Sequence, residues 1–421
     1  MKKGLASMRC GLLGEHLGHS FSPKIHARLA DYTYDLFEVA PEGVEAFLKG
    51  DSFDAINVTI PYKKTVIPYL DTISPEAEAI GAVNTVVRRT DGSLAGYNTD
   101  YFGFDSMLSA SGIEVLGKKA LILGSGGASS TVQAVLRDRG AREIVVIGRS
   151  LENNYTNLDR HADAEIIVNT TPVGMYPKNG ETPIDLSLFP KCCGVLDVIY
   201  NPARTALILD AEERKIPAMS GLWMLVAQAV KAFEFFTGET AEADAIRSIY
   251  AELSLATSNA ILVGMPGCGK STVGRELAKL LGREFYDADD EFSVMHQMTP
   301  AEAILNLGEE TFRQMEHEVL LSLGAKSGAV ISCGGGAVTR EINYRPLHQN
   351  GVILYLRRDL AKLATSGRPL SQKTSPEALY LARKAAYERF ADRTVESTEI
   401  PERTARAMRD ALLDFYKGKE Y

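Results

Sequence analysis

Short apolar runs rich in β-branched residues recur along the chain and alternate with longer stretches of helical periodicity. The clearest runs span 120–123, 144–147, 166–168 and 260–263. Strands that alternate with helices in this way are typical of parallel layers, so we predict the α/β fold class. The first and the last of these runs pass directly into glycine-rich loops, but the two loops are of different kinds. We therefore expect two distinct nucleotide sites and no internal repeat.

A change from helical to strand pattern marks the boundary between the two halves of the chain, at 254–259. No Pro-rich, Gly/Ser-rich or like-charge run provides a tether there, so we expect the halves to be joined closely. In the front half we predict a substrate-binding domain over 1–108, completed by helices within 221–253, and a Rossmann-like nucleotide-binding domain over 109–220. In the back half we predict a P-loop domain with a parallel sheet over 260–421.

Composition narrows the class of partner more than it narrows the fold. The chain has 421 residues, of which 45% are hydrophobic, and a formal net charge of −8, which argues against a nucleic-acid surface. No apolar run resembles a signal peptide or a membrane span, so we expect a soluble cytoplasmic protein without a membrane partner. The five cysteines and seven histidines follow no disulfide or metal-ligand spacing. Small-molecule chemistry is the better starting hypothesis, and the sequence does not indicate the oligomeric state.

The first glycine loop, GSGGASS, follows the strand at 120–123 and opens a helix. Gly124, Gly126 and Gly127 would let a dinucleotide pyrophosphate approach the amides at the helix N-terminus. On its own, this GxGxxS loop fits an ordinary glycine turn equally well. The next strand ends at Arg149, with no acidic residue to hold the ribose hydroxyls of NAD. Because an arginine suits a 2′-phosphate, NADP is favoured.

Several segments outside this loop carry a family resemblance. In chain order they read GHSFSPKIH, INVTIPYKK, GAVNT, GYNTDYFGF, NTTPVGMYP, DVIYNP and GLWMLVAQA, and they resemble the shikimate dehydrogenase family over roughly residues 8–250. The resemblance implies that substrate is held by Ser20, Ser22, Thr59, Lys63, Asn84, Asp100, Tyr200 and Gln228. It also implies NADP contacts at Gly124, Ser125, Gly126, Gly127, Ala128, Arg149, Ser150, Val198 and Gly221.

The catalytic pair that this resemblance implies has a chemical reason of its own. Ketone reduction leaves an anionic oxygen, and a lysine held by a carboxylate, such as Lys63 beside Asp100, can protonate and stabilise it. Ser20 and Ser22 would offer paired hydroxyls to a substrate carboxylate. Taken alone, Lys63 and Asp100 would more often form a surface salt bridge. Gln228 would likewise be either a helix-surface side chain or a substrate contact within an apolar helix face.

The front half departs from the family at two points. Only about fifteen residues separate Arg149 from the strand at 166–168, so we expect the nucleotide-binding domain to be shortened by about one βα unit. Where the family tends to place a second basic residue, this chain has Glu152 and Asn153. We therefore expect NADP binding to be weaker or less selective than in relatives.

The second glycine loop is a complete GxxxxGKS motif over 264–271, placed between a strand and a helix. Amides of such a loop cradle phosphate oxygens, Lys270 reaches the β and γ phosphates, and the Ser271 hydroxyl takes a Mg²⁺ ligand position. The predicted ATP contacts are Gly267, Cys268, Gly269, Lys270, Ser271 and Thr272. Because Cys268 and Cys333 are expected beside ATP, we also predict that alkylation impairs phosphoryl transfer.

The back half carries a resemblance of its own. Its segments FYDADDEF, GEETFRQME, SCGGGAV, SGRPL and ARKAAYERFAD resemble the shikimate kinase family over roughly residues 258–415. The resemblance implies that Ser271 and Asp287 bind Mg²⁺, that Lys270 and Asp289 are catalytic, and that Asp289 accepts a hydrogen bond from the attacking hydroxyl. It further implies that Asp289, Arg313, Gly335 and Arg383 bind shikimate and that Arg368, in a lid, approaches the ATP phosphoryl group.

Five of these assigned residues carry their own expectations or alternatives. Asp287 and Asp289 stand two residues apart, and we expect them to lie on one face of a strand. The glycines around Gly335 also fit an ordinary turn, and Arg313 fits a single charge on a solvated helix. Arg383 is followed by residues that replace a proline frequent in the family.

The two resemblances imply consecutive reactions. The first is NADPH-dependent reduction of 3-dehydroshikimate to shikimate, and the second is ATP-dependent phosphorylation of shikimate to shikimate 3-phosphate. One alternative is a quinate/shikimate dehydrogenase with NAD preference in the front half. The other is a metabolite sensor without turnover, against which the retained catalytic side chains speak.

Overall fold

The computed structural model describes residues 4–18, 20–363 and 375–417. Strands in these ranges form three sheets, one of six strands and two of five. Both five-stranded sheets are wholly parallel, as the alternation of strands and helices predicted. No helix within the described ranges combines the length and the apolar character that crossing a membrane requires.

The first sheet contains β1 (Arg9–Gly14), β2 (Thr33–Glu38), β3 (Ala55–Val58), β4 (Thr72–Ile73), β5 (Thr85–Arg88) and β6 (Leu94–Tyr97), in the order β2-β1-β3-β5-β6-β4. β5 runs antiparallel to β3 and β6, and the other pairs are parallel. The helices of this region are α1 (Ser22–Leu29), α2 (Val44–Lys49), α3 (Pro75–Ile80) and α4 (Thr99–Ser111). β3 is buried along its whole length and the edge strand β2 is mostly exposed, so the core of this unit lies around β3.

The second sheet contains β7 (Lys119–Leu123), β8 (Glu143–Ile147), β9 (Ile166–Asn169), β10 (Gly194–Asp197) and β11 (Ala218–Ser220), in the order β11-β10-β9-β7-β8. Helix α5 (Gly127–Asp138) follows β7, and α6 (Ala206–Glu213) follows β10. Residues 148–165, all of them described, hold one short 3-10 turn and neither a strand nor an α-helix. The expected loss of a βα unit is therefore seen directly.

Two further helices, α7 (Leu222–Thr237) and α8 (Ala245–Thr257), return to the first sheet. α7 packs along α4 and also contacts α1, β3 and β5. Its side chains Phe233 and Phe236 are buried together with Cys10 and Tyr32 against the first sheet. The chain thus leaves the first sheet, builds the second, and closes back on the first.

The third sheet contains β12 (Asn259–Val263), β13 (Phe285–Asp287), β14 (Val330–Ser332), β15 (Gly351–Arg357) and β16 (Arg393–Glu396), in the order β13-β14-β12-β15-β16. Its helices are α9 (Lys270–Leu281), α10 (Ala288–His296), α11 (Pro300–Leu307), α12 (Glu309–Gly324), α13 (Tyr344–His348), α14 (Pro376–Phe390) and α15 (Pro401–Lys417). The central strand β12 is buried throughout and β15 nearly so, because helices cover both faces of a parallel sheet.

The two halves join without a tether. Only Ser258 separates the last residue of α8 from the first residue of β12. The Arg283 guanidinium, on the third-sheet side, donates to the Ser258 carbonyl over 2.9 Å. α15 also packs against α8. The expected boundary at 254–259 therefore contains the end of a helix, which continues almost directly into a strand.

Burial of Phe233 predicts a large cost for its truncation. Phe233→Ala should lower the free energy of unfolding of the front half by about 3–5 kcal/mol, because it leaves a cavity between α7 and the first sheet. Phe102→Ala, at a side chain that is 37% exposed, should cost clearly less. Urea unfolding followed by fluorescence suits the test, since the single tryptophan, Trp223, lies on α7. Equal losses for the two variants would contradict the packing described.

Candidate active sites

The half-buried ion pair between Lys63 and Asp100 is the centre of the first site. Lys63 lies in the turn that follows β3, and Asp100 lies in the first turn of α4. The Lys63 Nζ atom donates to the Asp100 Oδ2 atom over 2.6 Å, and the two side chains are 27% and 14% exposed. Water therefore screens this pair less than it screens an exposed pair. The pair is therefore less exposed than the surface salt bridge that the sequence left as an alternative.

Asn84 holds the helix end that carries Asp100. Its Oδ1 atom accepts hydrogen bonds from the Thr99 amide over 2.7 Å and from the Thr99 hydroxyl over 3.2 Å. The Asn98 side chain caps the same helix by accepting from the Tyr101 amide. A carboxylate in the first turn is favoured by the helix dipole. Asn84 thus has a visible structural task, and its contact with substrate stays a prediction.

Gln228 reaches the same helix end from α7. Its side chain is 9% exposed, and its Oε1 atom accepts from the Thr99 hydroxyl over 3.4 Å. Its Nε2 atom donates to the Leu225 carbonyl over 2.8 Å. The helix-surface alternative for Gln228 is therefore wrong. The side-chain amide of Gln228 contacts Thr99, which directly precedes Asp100 in the sequence.

The turn at the start of α1 lies beside the loop that follows β10 of the second sheet. The Ser22 amide donates to the Ser20 hydroxyl over 3.2 Å, which places both serines on one tight turn. Between them, the Phe21 ring packs against the Tyr200 ring with centroids 5.4 Å apart. Tyr200 follows β10, and Thr59 comes directly after β3. The predicted substrate residues therefore come from elements that the fold brings together.

The glycine loop after β7 is open in the way a pyrophosphate requires. Gly124 has a φ of 103°, and a Cβ there would lie 2.9 Å from the Thr170 hydroxyl, so glycine is needed. At Gly126 and Gly127 a Cβ would meet no atom within 4 Å. Gly126 is the N-cap of α5, whose first amides and dipole favour a phosphate. The loop, with Ser125 and Ala128 around these glycines, fits a dinucleotide.

Arg149 and Ser150 lie exposed in the turn after β8. The Gly148 amide donates to the Asn153 carbonyl over 3.1 Å, so the chain reverses directly behind them. An exposed guanidinium at this point is free to meet the 2′-phosphate of a dinucleotide. Glu152, also exposed, adds no second positive charge.

Gly221 and Val198 are in direct contact. A Cβ at Gly221 would lie 2.1 Å from the Val198 carbonyl oxygen, so no other residue fits. The Gly221 amide donates to the Ile199 carbonyl over 2.9 Å. The two residues predicted to face the nicotinamide therefore form one surface at the carboxyl ends of β10 and β11.

The third sheet opens into a cleft of about 450 Å³ at the carboxyl ends of β12, β13 and β14. Nearly every residue that the sequence assigned to the second site lines it, namely Gly267, Gly269, Lys270, Ser271, Thr272, Asp287, Asp289, Arg313, Gly335 and Arg383. Cys268 is buried beneath the loop, and Arg368 lies outside the described residues. A cleft of this size suits a small-molecule ligand.

Lys270 is held within the phosphate loop. Its Nζ atom donates to the Gly264 carbonyl over 3.0 Å and to the Met265 carbonyl over 3.1 Å. α9 begins at Lys270, and its positive dipole end faces the loop. These features favour a bound phosphate at this point.

Oxygen atoms suited to Mg²⁺ lie in the same cleft. The Ser271 hydroxyl is 3.5 Å from the Ser332 hydroxyl, and Asp287 lines the cleft beside them. Mg²⁺ prefers hydroxyl, carboxylate and phosphate oxygens and commonly takes only one or two of them from the protein. Ser271 and Asp287 fit that pattern.

Asp287 and Asp289 do not share a strand, contrary to the prediction. β13 ends at Asp287, whose Oδ1 atom accepts from the Asp289 amide over 3.1 Å and caps α10. An aspartate before a helix satisfies an amide that would otherwise be unpaired, and this favours ending the strand there. Both carboxylates nevertheless line the cleft.

Asp289 is held close to other acidic groups. Loss of hydration raises the pKa of Asp289 to about 6, with further contributions from the Asp287 and Glu316 carboxylates and an opposing one from Lys270. Solvent in the cleft still reaches the side chain, so its carboxylate can meet a ligand. A carboxylate with a raised pKa and an open side is a candidate acceptor for a hydroxyl proton.

Glu316 belongs to this site although the sequence reasoning missed it. The Arg313 Nη1 atom donates to the Glu316 Oε2 atom over 2.7 Å, and both side chains are buried. A Cβ at Gly336 would lie 2.2 Å from the Arg313 guanidinium, which therefore needs a glycine beside it. Arg313 is thus not a charge on a solvated helix. The spacing of three residues on α12 was the available indication, because it places both side chains on one face.

Arg383 fixes the glycine run from the opposite side. Its Nη1 atom donates to the Gly335 carbonyl over 3.1 Å, and the Tyr387 hydroxyl donates to the same carbonyl. The run is therefore more than an ordinary turn. Arg383 reaches the cleft even without the proline frequent in the family.

The positions of the two cysteines of the second site argue against the expected thiol sensitivity. Cys268 and Cys333 are both buried, and burial raises the pKa of the Cys333 thiol. A buried thiol that stays protonated reacts poorly. Cys193, far from the cleft in sequence, is the exposed cysteine, and Lys118 donates to its sulfur over 3.0 Å.

Three family models match the chain. The model for the shikimate dehydrogenase substrate binding domain matches residues 12–86, and that for the shikimate 5′-dehydrogenase C-terminal domain matches 221–248. The shikimate kinase model matches 266–413. The first two therefore fall in the front half and the third in the back half.

Curated relatives and solved structures agree with the two matches in the front half. The NADP(+) shikimate dehydrogenase of Clostridium perfringens strain SM101 is 37% identical over 264 residues, which cover 58% of this chain and 97% of the relative. A chorismate mutase/shikimate 5-dehydrogenase fusion protein from Clostridium acetobutylicum is 37% identical, with a TM-score of 0.55 over 58% of this chain and 96% of the other. Shikimate 5-dehydrogenase from Thermus thermophilus, solved with NADP(H) and shikimate, is 32% identical, with a TM-score of 0.53 over 58% and 99%.

The burial of the cysteines predicts the order in which they react. Iodoacetamide should modify Cys193 first, because its sulfur is exposed, while Cys268 and Cys333 should react only when the protein unfolds. Peptide mass spectrometry during a time course, with and without urea, would show the order. Rapid modification of Cys268 in the folded protein would contradict the burial described.

Proposed function

Since the chain belongs to the shikimate dehydrogenase family and carries a shikimate kinase domain behind it, we propose that it performs two consecutive reactions of the shikimate pathway. It is a bifunctional enzyme that reduces 3-dehydroshikimate to shikimate with NADPH and phosphorylates shikimate to shikimate 3-phosphate with ATP. The observation that carries this proposal is a complete set of chemical groups on each side of Ser258. The Lys63 and Asp100 pair lies in front of it, and the cleft around Lys270 and Asp289 lies behind it.

We keep the domain division expected from the sequence. Residues 1–108 with 221–253 bind the substrate of the first reaction, 109–220 bind NADP, and 260–421 form the kinase. The return of α7 and α8 to the first sheet supports this division, as does the single residue between α8 and β12.

In the first reaction, Lys63 supplies the proton. When bound, NADPH supplies the hydride at the nicotinamide, which we place against Val198 and Gly221. Lys63 Nζ donates its proton to the ketone oxygen of the substrate as negative charge develops there, and Asp100 keeps the ammonium group oriented.

The remaining polar groups of the first site orient the substrate. Ser20 and Ser22 bind the substrate carboxylate through their hydroxyls. The groups assigned to the ring hydroxyls are Thr59, Asn84, Tyr200 and Gln228. The buried position of Gln228 and the contact of Tyr200 with Phe21 support these assignments.

In the second reaction, Asp289 accepts the hydrogen bond of the attacking hydroxyl. When bound, ATP with Mg²⁺ supplies the phosphoryl group and neutralises part of its charge, and Ser271 and Asp287 would hold the metal. Lys270 and the loop amides bind the phosphates. Arg313, Arg383 and Gly335 hold the shikimate carboxylate and ring, since planar guanidinium groups suit a carboxylate. Arg368 completes the phosphate contacts on sequence grounds alone.

Separate sites predict separable losses. Lys63→Ala should lower the rate of 3-dehydroshikimate reduction by about 10²- to 10⁴-fold, because a methyl group cannot donate the proton. The same variant should leave the phosphorylation of added shikimate unchanged. Asp289→Asn should do the reverse. The exposed neighbours provide matched controls, so Lys64→Ala and Asp290→Asn should each retain both activities. Loss of both activities from either active-site variant, in folded protein, would rule out two independent sites.

The raised pKa of Asp289 predicts an acid limit for the kinase. Because an ionised carboxylate is needed and the pKa is about 6, kcat/KM at limiting shikimate and ATP should fall as the pH falls through 6. Glu316→Gln removes a nearby negative charge and should move this limit to lower pH. Because ATP itself gains a proton in this pH range, the test compares the acid limit of each variant with that of the wild type. Glu318→Gln, exposed on the same helix, should not move it, and an unmoved limit in Glu316→Gln would contradict the assignment.

Arg149 predicts the cofactor preference. Arg149→Ala should raise the KM for NADPH by about tenfold, the loss expected for one charge-assisted contact, and should change the KM for NADH little. Arg160→Ala, an exposed arginine of the same domain, serves as the control. Steady-state assays with both cofactors, on 3-dehydroshikimate and on 3-dehydroquinate, also decide between the shikimate and quinate alternatives. Equal effects of Arg149→Ala on the KM values of both cofactors would contradict the assignment of Arg149 to the 2′-phosphate.

A further inference from the structure

The loop that carries Tyr200 also rests on the kinase half. We call residues 198–205 the docking loop and residues 349–351 the kinase turn. The Ala203 amide donates to the Asn350 Oδ1 atom over 2.8 Å, and the Arg204 amide donates to the Gln349 carbonyl over 2.9 Å. The Arg204 guanidinium donates to the Gly351 carbonyl over 2.6 Å. Three hydrogen bonds thus join the two halves within two consecutive residues of the docking loop.

On the kinase side, these acceptors are held rigidly. The Asn350 carbonyl accepts from the Asn259 amide over 2.7 Å, at the start of β12. A Cβ at Gly351 would lie 2.4 Å from the Leu347 carbonyl oxygen, so the turn packs closely against α13. Gln349 and Asn350 are both buried. The kinase turn is therefore a fixed part of the third sheet.

On the dehydrogenase side, the docking loop is tied at both ends and leads to the substrate site. The buried Asp197 carboxylate accepts from the Ile199 amide over 3.0 Å and from the Thr205 hydroxyl over 2.7 Å. Between these anchors, the Tyr200 ring meets the Phe21 ring. The kinase turn supports the outer part of the loop, three residues beyond Tyr200.

Other contacts of this interface contribute less to the position of the loop. Arg345 forms ion pairs with Glu213 at 2.7 Å and Asp210 at 3.3 Å, on α6, but these side chains are partly exposed. Exposed ion pairs usually contribute little. The three hydrogen bonds from Ala203 and Arg204 to the kinase turn, of which the one to Asn350 is a side-chain contact, are therefore the contacts that hold the loop.

The support is expected to act in one direction. The kinase turn lies at the amino end of β15, whereas the phosphate loop follows the carboxyl end of β12. Five residues of strand separate the two edges by about 17 Å. A change in the turn can thus displace the docking loop without touching the kinase cleft.

We propose that Asn350, a residue of the kinase half, is a positioning residue for the dehydrogenase reaction. It holds the docking loop through the Ala203 amide and so places Tyr200 against the substrate. This inference rests on the proposed dehydrogenase activity and on the role assigned to Tyr200.

The test uses the full-length protein. Asn350→Ala should raise the KM for 3-dehydroshikimate about 3- to 10-fold, the effect of losing one buried hydrogen bond. The KM for NADPH should change much less, because residues 124–128 and Arg149 lie outside the docking loop and the end of the loop that carries Val198 is held by Asp197 through the Ile199 amide. The kcat and both KM values of shikimate phosphorylation should stay unchanged.

Two further variants separate positioning from general stability. Asn350→Asp keeps the acceptor oxygen and should restore the KM, since the Asn350 Nδ2 atom has no hydrogen-bond partner among the described residues and the nearby Arg204 offsets the charge. Arg345→Ala removes the exposed ion pairs of the same interface and should leave the KM within twofold. If Asn350→Ala fails to fold, Arg204→Met breaks the contact with Gly351 from the other side and should raise the KM likewise.

Each outcome decides the proposal. An unchanged KM for 3-dehydroshikimate in both Asn350→Ala and Arg204→Met would overturn it, and so would an equal loss in both reactions or a failure of Asn350→Asp to restore the KM. A wild-type protein that does not reduce 3-dehydroshikimate would instead defeat the proposed function.

Discussion

Parallel strands must end at a common edge of their sheet, and both nucleotide sites of this protein follow from that constraint. At this edge each strand is followed by a loop, and the amides of the loop have no hydrogen-bond partner in the sheet. Gly124 and Gly269 both take positive φ at such an edge, which leaves the amides of the following helix free for a phosphate. The other groups of each site, Val198 and Gly221 in one and Asp287 and Ser332 in the other, lie at the ends of neighbouring strands.

The contact between the second and the third sheet affects the two halves unequally. The loop that follows β10 in the front half lies on the kinase half, and this loop carries Tyr200, a predicted substrate contact. The kinase half receives the loop on the opposite edge from its cleft, at the start of β15. A fusion built this way gives the first reaction a support in the second domain, while the second reaction keeps a complete site of its own.

The local sequence pattern was sufficient to predict features that depend on a single strand, helix or loop. The strands at 120–123 and 260–263, the two glycine loops and the short stretch between β8 and β9 were all read from consecutive residues. The prediction that Asp287 and Asp289 share a strand was wrong. An aspartate can end a strand or cap the following helix, and sequence propensity alone does not decide between these two positions. Gln228 could not be assigned to one face of its apolar helix before its neighbours were known.

Contacts between distant parts of the chain could not be predicted in this way. The bond from Ala203 to Asn350 joins residues 147 positions apart, and neither residue belongs to a motif. Glu316 ends the quoted segment GEETFRQME, three residues after Arg313, but its contacts with Gly334 and Cys333 come from another strand end. Such contacts depend on tertiary packing, which periodicity and motif spacing do not encode.

The central claim is that one chain carries out both reactions in sequence. The direct measurement is a time course of the purified full-length protein with 3-dehydroshikimate, NADPH, ATP and Mg²⁺, in which shikimate and shikimate 3-phosphate are both quantified. We expect NADPH to be consumed in the same molar amount as the final shikimate 3-phosphate. Omission of ATP should stop the reaction at shikimate, and omission of NADPH should prevent both products. Consumption of NADPH with neither shikimate nor shikimate 3-phosphate formed, or no phosphorylation of the shikimate formed, would contradict the account.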